Sequence, residues 1–295
     1  VQASARRFAV VGHVEWVQFA YVEHLPRAGE VAHARDAFEE PAGGGAVAAV
    51  QLARLAGSSM LLTALGDDEP ARRSLARLRE LGVDVHAVTR AEPTRRALTL
   101  LDRDGEHTIT TLGPRLEPHR ADDLPWEELA DMDGVYFTAG DRGALAAARC
   151  ARALVASPRA REALGGRPLD AIVLSADDAI ERAALEGIEQ DANLIAFTEG
   201  ERGGSYRLRS GESGRWAALE PPPPLEPEPT ADPRRGPGGR ESPPTDSYGC
   251  GDSFAAGLTF ALAEGLPLQE SLVLGARCGA ACATGRGPYE RMLRR

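Results

Sequence analysis

Short apolar runs that favour extended backbone alternate along this chain with alanine-rich or arginine-studded segments of helical period, and this alternation limits the fold more than any other feature. The series opens with Phe8-Ala-Val-Val-Gly12, and its β-favouring pattern extends to about Val22. Gly43-Gly44-Gly45 then leads into an alanine-rich segment over 46–55 that Gly57 stops. A strand over 60–64, the turn Gly66-Asp67-Asp68 and an amphipathic helix over 70–81 follow. Later strands are expected at 135–138, 153–156, 171–174 and 194–198, with helices from Asp141, over 252–264 and over 268–284. Strands and helices that take turns in this way build a mostly parallel sheet covered on both faces. The expected class is therefore α/β, with residues 1–295 as a single domain.

Three stretches interrupt the series. Residues 28–41 mix charged and small side chains and read as a minor, partly exposed sheet or loop. Residues 97–101 and 107–111 are β-rich runs joined by Asp102-Arg-Asp-Gly-Glu106, and an Asp-Gly turn between alternating runs signals a hairpin. Residues 221–244 carry ten prolines in twenty-four positions and read as a surface insertion, since such a stretch cannot pack a core.

Composition limits the chemistry. All 34 basic residues are arginine, against 44 acidic ones, for a formal net charge of -10. Without lysine there is no Schiff-base chemistry and no Walker A loop, so any phosphate must be held by arginine, metal or backbone N–H groups. The acidic balance argues against nucleic acid or an anionic membrane as partner. No apolar run approaches the roughly 18 residues of a membrane span. Cys150, Cys250, Cys278 and Cys282 form no disulfide framework and read as free thiols of a cytoplasmic protein.

One segment carries chemistry on its face. Asp246-Ser-Tyr-Gly249-Cys250-Gly251-Asp252-Ser-Phe-Ala-Ala-Gly257 sets glycines at the entry to an alanine-rich helix. Successive N–H groups there point outward at the positive end of the helix dipole, which makes an anion hole. Asp252 is either a first-turn acid that caps the helix or a general base that removes a proton from an attacking hydroxyl. Cys250 fills a small-residue position between the glycines.

The segment 246–257 resembles the C-terminal signature Asp-Thr-Thr-Gly-Ala-Gly-Asp-x-Phe-x-x-Gly of the PfkB, or ribokinase-like, carbohydrate kinases. Gly43-Gly44-Gly45 resembles that family's N-terminal glycine signature, Gly66-Asp67-Asp68 its Gly-x-Asp turn, and Thr198-Glu-Gly200-Glu-Arg-Gly203 its nucleotide-side Thr-x-Gly-x-x-Gly. The resemblance implies a ribokinase-like three-layer sandwich with a small β lid from segments near 13–40 and 95–112. It also implies ATP-dependent phosphoryl transfer to an alcohol of a small sugar, polyol or nucleoside-like substrate. Asp252 would be the base, the backbone of Gly249, Cys250, Gly251 and Asp252 the anion hole, and Mg²⁺ the bridge between nucleotide phosphates. Thr198, Gly200 and Gly203 would border the nucleotide, Gly43, Gly44 and Gly45 the substrate, and lid sheets paired between two chains would give a homodimer.

The chain also departs from that pattern. The family's substrate-binding Asp and Asn fall on Val17 and Val47, so ordinary sugar recognition is in question. Glu15, on the strand face of His13 and Val17, and Gln51, one turn after Val47, are the expected substitutes. The metal-ordering Asn-x-x-Glu falls on Ser175-Ala-Asp177-Asp178, which leaves Asp178 as the metal-side acid or as a helix N-cap. Arg95 and Arg96 open the lid hairpin, where a guanidinium could meet an anion. Arg277 and Cys278 replace an Asn near the nucleotide. A family member that binds without transferring phosphate is the alternative; a Rossmann-type enzyme would need a Gly-x-Gly-x-x-Gly turn after the first strand, and there is none.

Overall fold

The computed structural model describes residues 6–103, 105, 107–220 and 246–295, so the proline-rich stretch lies outside the described residues. In chain order the strands are β1 (Phe8–Val11), β2 (Glu15–Tyr21), β3 (Asp36–Ala42), β4 (Ser59–Leu65), β5 (Val83–Thr89), β6 (Arg96–Leu101), β7 (His107–Leu112), β8 (Gly134–Phe137), β9 (Ala153–Ala156), β10 (Leu169–Ser175), β11 (Ala192–Thr198), β12 (Gly204–Leu208) and β13 (Ser213–Trp216). The helices are α1 (Gly44–Ala56), α2 (Glu69–Glu80), α3 (Arg142–Ala148), α4 (Ala179–Leu185), α5 (Cys250–Glu264) and α6 (Leu268–Cys282).

Nine strands make the main sheet, in the order β13-β12-β11-β10-β9-β8-β1-β4-β5. From β11 to β5 every pairing is parallel, and β12 and β13 add an antiparallel edge. Alternation along β1 shows why both faces need cover. Phe8 and Val10 enter one apolar cluster with residues of α1 and α5, while Ala9 and Val11 enter a second with Leu145 of α3 and Leu185 of α4. Phe8 stacks on Phe260 of α5 with ring centroids 5.0 Å apart. α5 and α6 approach closely because Gly257 has no side chain: a Cβ there would lie 2.7 Å from the Cys278 thiol. Cys278 and Cys282 are buried, as their spacing on a helix predicts.

A second sheet, β3-β2-β6-β7, stands apart from the first, with β2 and β6 parallel and antiparallel strands outside them. The expected hairpin is present, with Leu101 opposite His107. Residues 36–42 form a strand rather than a loop. The run from Phe8 to Val22 is not one strand but two, in different sheets. The break falls at Gly12, where a Cβ would lie 2.7 Å from Gly45 Cα, so the chain can turn only because both positions are bare. β5, β12 and β13 were not expected as strands; β5 is only partly buried, with Asp84 and His86 among its seven residues, and the other two are an edge hairpin. Among the described residues no helix is long and apolar enough to cross a membrane.

Candidate active site

β1 has β4 on one side and β8 on the other, so the strand order reverses beside it and opens a crevice at the carboxyl ends of β1 and β8. The residues after those strands meet there: Thr138 Oγ1 lies 3.3 Å from His13 Nδ1. The N-terminus of α1 closes one side. Gly45 N–H donates to the His13 carbonyl at 3.1 Å, and a Cβ on Gly44 would fall 2.8 Å from Asp252 Oδ1 and 3.2 Å from Thr138 Oγ1. Gly43, with φ of 88°, lies against the His13 ring and Glu15. The glycine signature thus brings backbone close to the acid of α5.

Asp252 does not cap its helix. The N-cap of α5 is Gly249, in the left-handed region at φ 80°, and no side chain caps the helix. The Cys250 N–H reaches back to the Ser247 carbonyl, whereas the amides of Gly251 and Asp252 meet no acceptor among the described residues. A Cβ on Gly251 would have nothing within 4 Å. Free amides, bare backbone and open space together suit an incoming phosphate. The Cys250 thiol turns away, toward the Asp246 carbonyl at 3.7 Å. It fills space in the loop, as its position predicts.

Tyr136 of β8 donates to Asp252 Oδ1 at 3.3 Å. Burial pushes the Asp252 carboxyl up to about 6, against the pull of the Arg159 guanidinium and with a further push from Glu181. Burial and the neighbouring Asp252 keep the Tyr136 phenol protonated. His13 is driven well below the usual imidazole range by burial and then by Arg115, Arg95 and Arg159, so it is neutral at pH 7.

Glu15 is buried beside Gly43. Tyr248 links the two, accepting the Gly43 N–H at 3.3 Å and donating to Glu15 Oε1 at 3.4 Å. Arg95 Nε is 3.3 Å from Glu15 Oε2, an ion contact without hydrogen-bond alignment. Burial raises the Glu15 carboxyl, opposed by Arg95 and Tyr248. Arg96 is exposed at the start of β6. The second sheet also touches the signature loop, with His107 Nδ1 2.8 Å from Ser247 Oγ and Phe19 edge-on to Tyr248 at 5.0 Å.

Other expected residues are elsewhere. Gln51 turns to the C-terminal segment, where its amide donates to the Leu293 carbonyl at 2.9 Å, so it is a packing residue rather than a substrate contact. Val47 packs under Gly249 and Val17 lies within the second sheet, so both apolar departures contribute to packing. Thr198 and Gly200 sit at the carboxyl end of β11, with open space beside Gly200, while Gly203 is required by the close backbone of Trp216 and Ala217. Arg277 borders a cavity of about 120 Å³ with Glu220, Ala280 and Leu293.

Asp178-Ala-Ile-Glu181, at the start of α4, has the Asn-x-x-Glu spacing with Asp for Asn, and its second acid, Glu181, is buried. The missing asparagine hid it, although the spacing was present. Asp178 caps α4 by accepting from Ile180 and Glu181 N–H. Among the described residues no group of three or more His, Cys, Asp or Glu could hold a metal ion. All four oxygens of Asp178 and Glu181 already accept from protein donors, so this pair as it stands does not fit a protein-held Mg²⁺.

Residues 5–202 and 237–294 match the profile described as pfkB family carbohydrate kinase. The chain belongs to that family. As a pfkB-family protein it shares its fold with ribokinases. The ribokinase of Arabidopsis thaliana, solved with ribose and ATP, superposes with a TM-score of 0.69 at 18% identity over 99% of this chain and 96% of that one. The adenosine kinase of Sinorhizobium meliloti does so with 0.71 at 20% identity, over 97% and 96%. In sequence, a ribokinase of Dictyostelium discoideum is 30% identical over 106 residues, which span 35% of this chain and 33% of that protein. The expected three-layer α/β fold with a small second sheet is the one observed.

Proposed function

We propose that this protein transfers the γ-phosphoryl group of ATP to an alcohol of a small sugar, polyol or nucleoside-like substrate. The observation that carries the reading is Asp252, a buried acid that does not cap its helix and titrates at about 6 beside the open N-terminus of α5. An alcohol is a poor nucleophile until its proton leaves, and a base that titrates near 6 is ionised at pH 7 yet retains proton affinity. Tyr136 occupies Oδ1 and leaves Oδ2 for the substrate hydroxyl. As that oxygen attacks phosphorus its proton passes to Asp252, and the bond to the leaving diphosphate breaks.

Bound ATP supplies the phosphoryl group and the leaving diphosphate. The amides of Gly251 and Asp252 are placed to meet charge on the transferred oxygens, with Gly249 and Cys250 shaping the loop, and no lysine is needed. Thr198 and Gly200 border the nucleotide in this reading, and Gly203 shapes that edge. Gly43, Gly44, Gly45 and Glu15 take the acceptor, joined by His13 as a fixed neutral polar group. The second sheet serves as the lid that excludes water, a competing acceptor. A cytoplasmic homodimer paired through that sheet completes the reading.

ATP consumption over a panel of sugars, polyols and nucleosides, with Asp252→Asn as control, is the test. Turnover on one member that this variant loses supports the reading. Nucleotide binding without turnover on any member would favour the binding-only alternative.

A further inference from the structure

The acidic motif of α4 is already neutralised from within. Arg159, in the turn after β9, donates through Nε to Glu181 Oε1 at 2.5 Å and through Nη2 to Asp178 Oδ2 at 2.7 Å. The two remaining oxygens are also engaged. Glu181 Oε2 accepts from Ser175 N–H at 2.7 Å, and Asp178 Oδ1 accepts from Ile180 and Glu181 N–H at 2.8 and 3.1 Å. All four carboxylate oxygens thus have protein donors, and one guanidinium spans both groups. A divalent cation entering here would displace a charge-assisted pair and sit beside a fixed positive charge.

We infer that Arg159 is the resident cation of this motif: the protein places a guanidinium where an acidic motif would otherwise order a divalent ion. In the nucleotide-free protein neither carboxylate of this motif is then left to collect a divalent ion. The same guanidinium is near enough to Asp252 to favour its ionised form, so one arginine positions α4 and the base side of the crevice together. A chain without lysine can do this well, because the planar fork of arginine spans two carboxylates that a point charge would serve singly. The inference does not depend on phosphoryl transfer taking place.

The test uses Mn²⁺ as probe, titrated into the full chain without nucleotide and followed by the EPR amplitude of the free ion. The wild type is expected to leave the free signal unchanged. Arg159→Gln, checked for folding by its melting transition, is expected to bind Mn²⁺ at least about tenfold more tightly, because a repelling charge within a few ångströms has gone. Adding Glu181→Gln to that variant should abolish the gain. Mn²⁺ bound by the wild type and lost in Glu181→Gln would overturn the inference, as would a folded Arg159→Gln that gains nothing. If Arg159→Gln does not fold, the wild type and Glu181→Gln decide the matter alone.

Discussion

Replacing Asp252 by Asn should remove turnover and make the protein more stable, and the second effect has a pH signature. The wild-type carboxyl titrates near 6 in the folded protein against an ordinary Asp value of 3.8. Because its folded value is raised, the native state binds this proton more tightly than the unfolded chain does, and stability falls as pH rises from about 4 to about 7. Each unit of difference corresponds to about 1.4 kcal/mol, so the ionised group costs the fold on the order of 2–3 kcal/mol at neutral pH. Asn is isosteric, keeps an oxygen to accept from Tyr136, and carries no such cost. Thermal melts of both proteins at pH 4.5 and 7.5 should therefore diverge, with the variant gaining about 2 kcal/mol between the two, or roughly 4 °C for a chain of this size. On the activity side, loss of a general base lowers kcat by about 10²–10⁴. A stability difference that stays flat with pH would refute the buried, raised carboxyl. Unchanged kcat would refute its role as base.

Other perturbations separate the parts of the site. Tyr136→Phe removes a hydrogen bond that favours ionised Asp252, so the acid limb of kcat/KM should move above its wild-type position near 6; an unmoved limb would mean the phenol only packs. Gly251→Ala should cost little stability, since nothing lies within 4 Å of the new Cβ, yet raise KM for ATP by intruding on the open space before α5. Gly44→Ala would drive a Cβ to 2.8 Å from Asp252 Oδ1, and kcat should fall about 10–100-fold as the base shifts. Glu15→Gln keeps the shape but leaves Arg95 without its carboxylate; KM for the acceptor should rise about tenfold with kcat less affected, and unchanged kinetics would remove Glu15 from the acceptor pocket.

The strands that sequence reading located are those whose burial writes itself into composition. Phe8–Val11, Ala153–Ala156 and Ala192–Thr198 are near-continuous apolar runs because parallel strands are covered on both faces. The edge hairpin of β12 and β13 is half exposed and lacks that signal. Gln51 was misplaced for a different reason: its position one turn beyond Val47 fixes a helix face, but which neighbour fills that face depends on the fold of the C-terminal segment. Glu181 was missed because the frame was anchored on an asparagine, and at that position this chain has Asp178.

By itself the sequence determined the layered α/β class, the hairpin and the glycine-lined N-terminus of α5, since each follows from local period, turn chemistry or backbone freedom within a few residues. It also fixed the terms on which phosphate can be held, because a chain without lysine has only arginine, metal or backbone N–H groups to offer. Tertiary structure alone decided which of these charges meet. Asp252, Tyr136, Arg159 and Glu181 come from four separate elements around one crevice, and the raised carboxyl of Asp252 is a property of that enclosure. Burial and pairing act through space across residues far apart in the chain, so no local pattern records them.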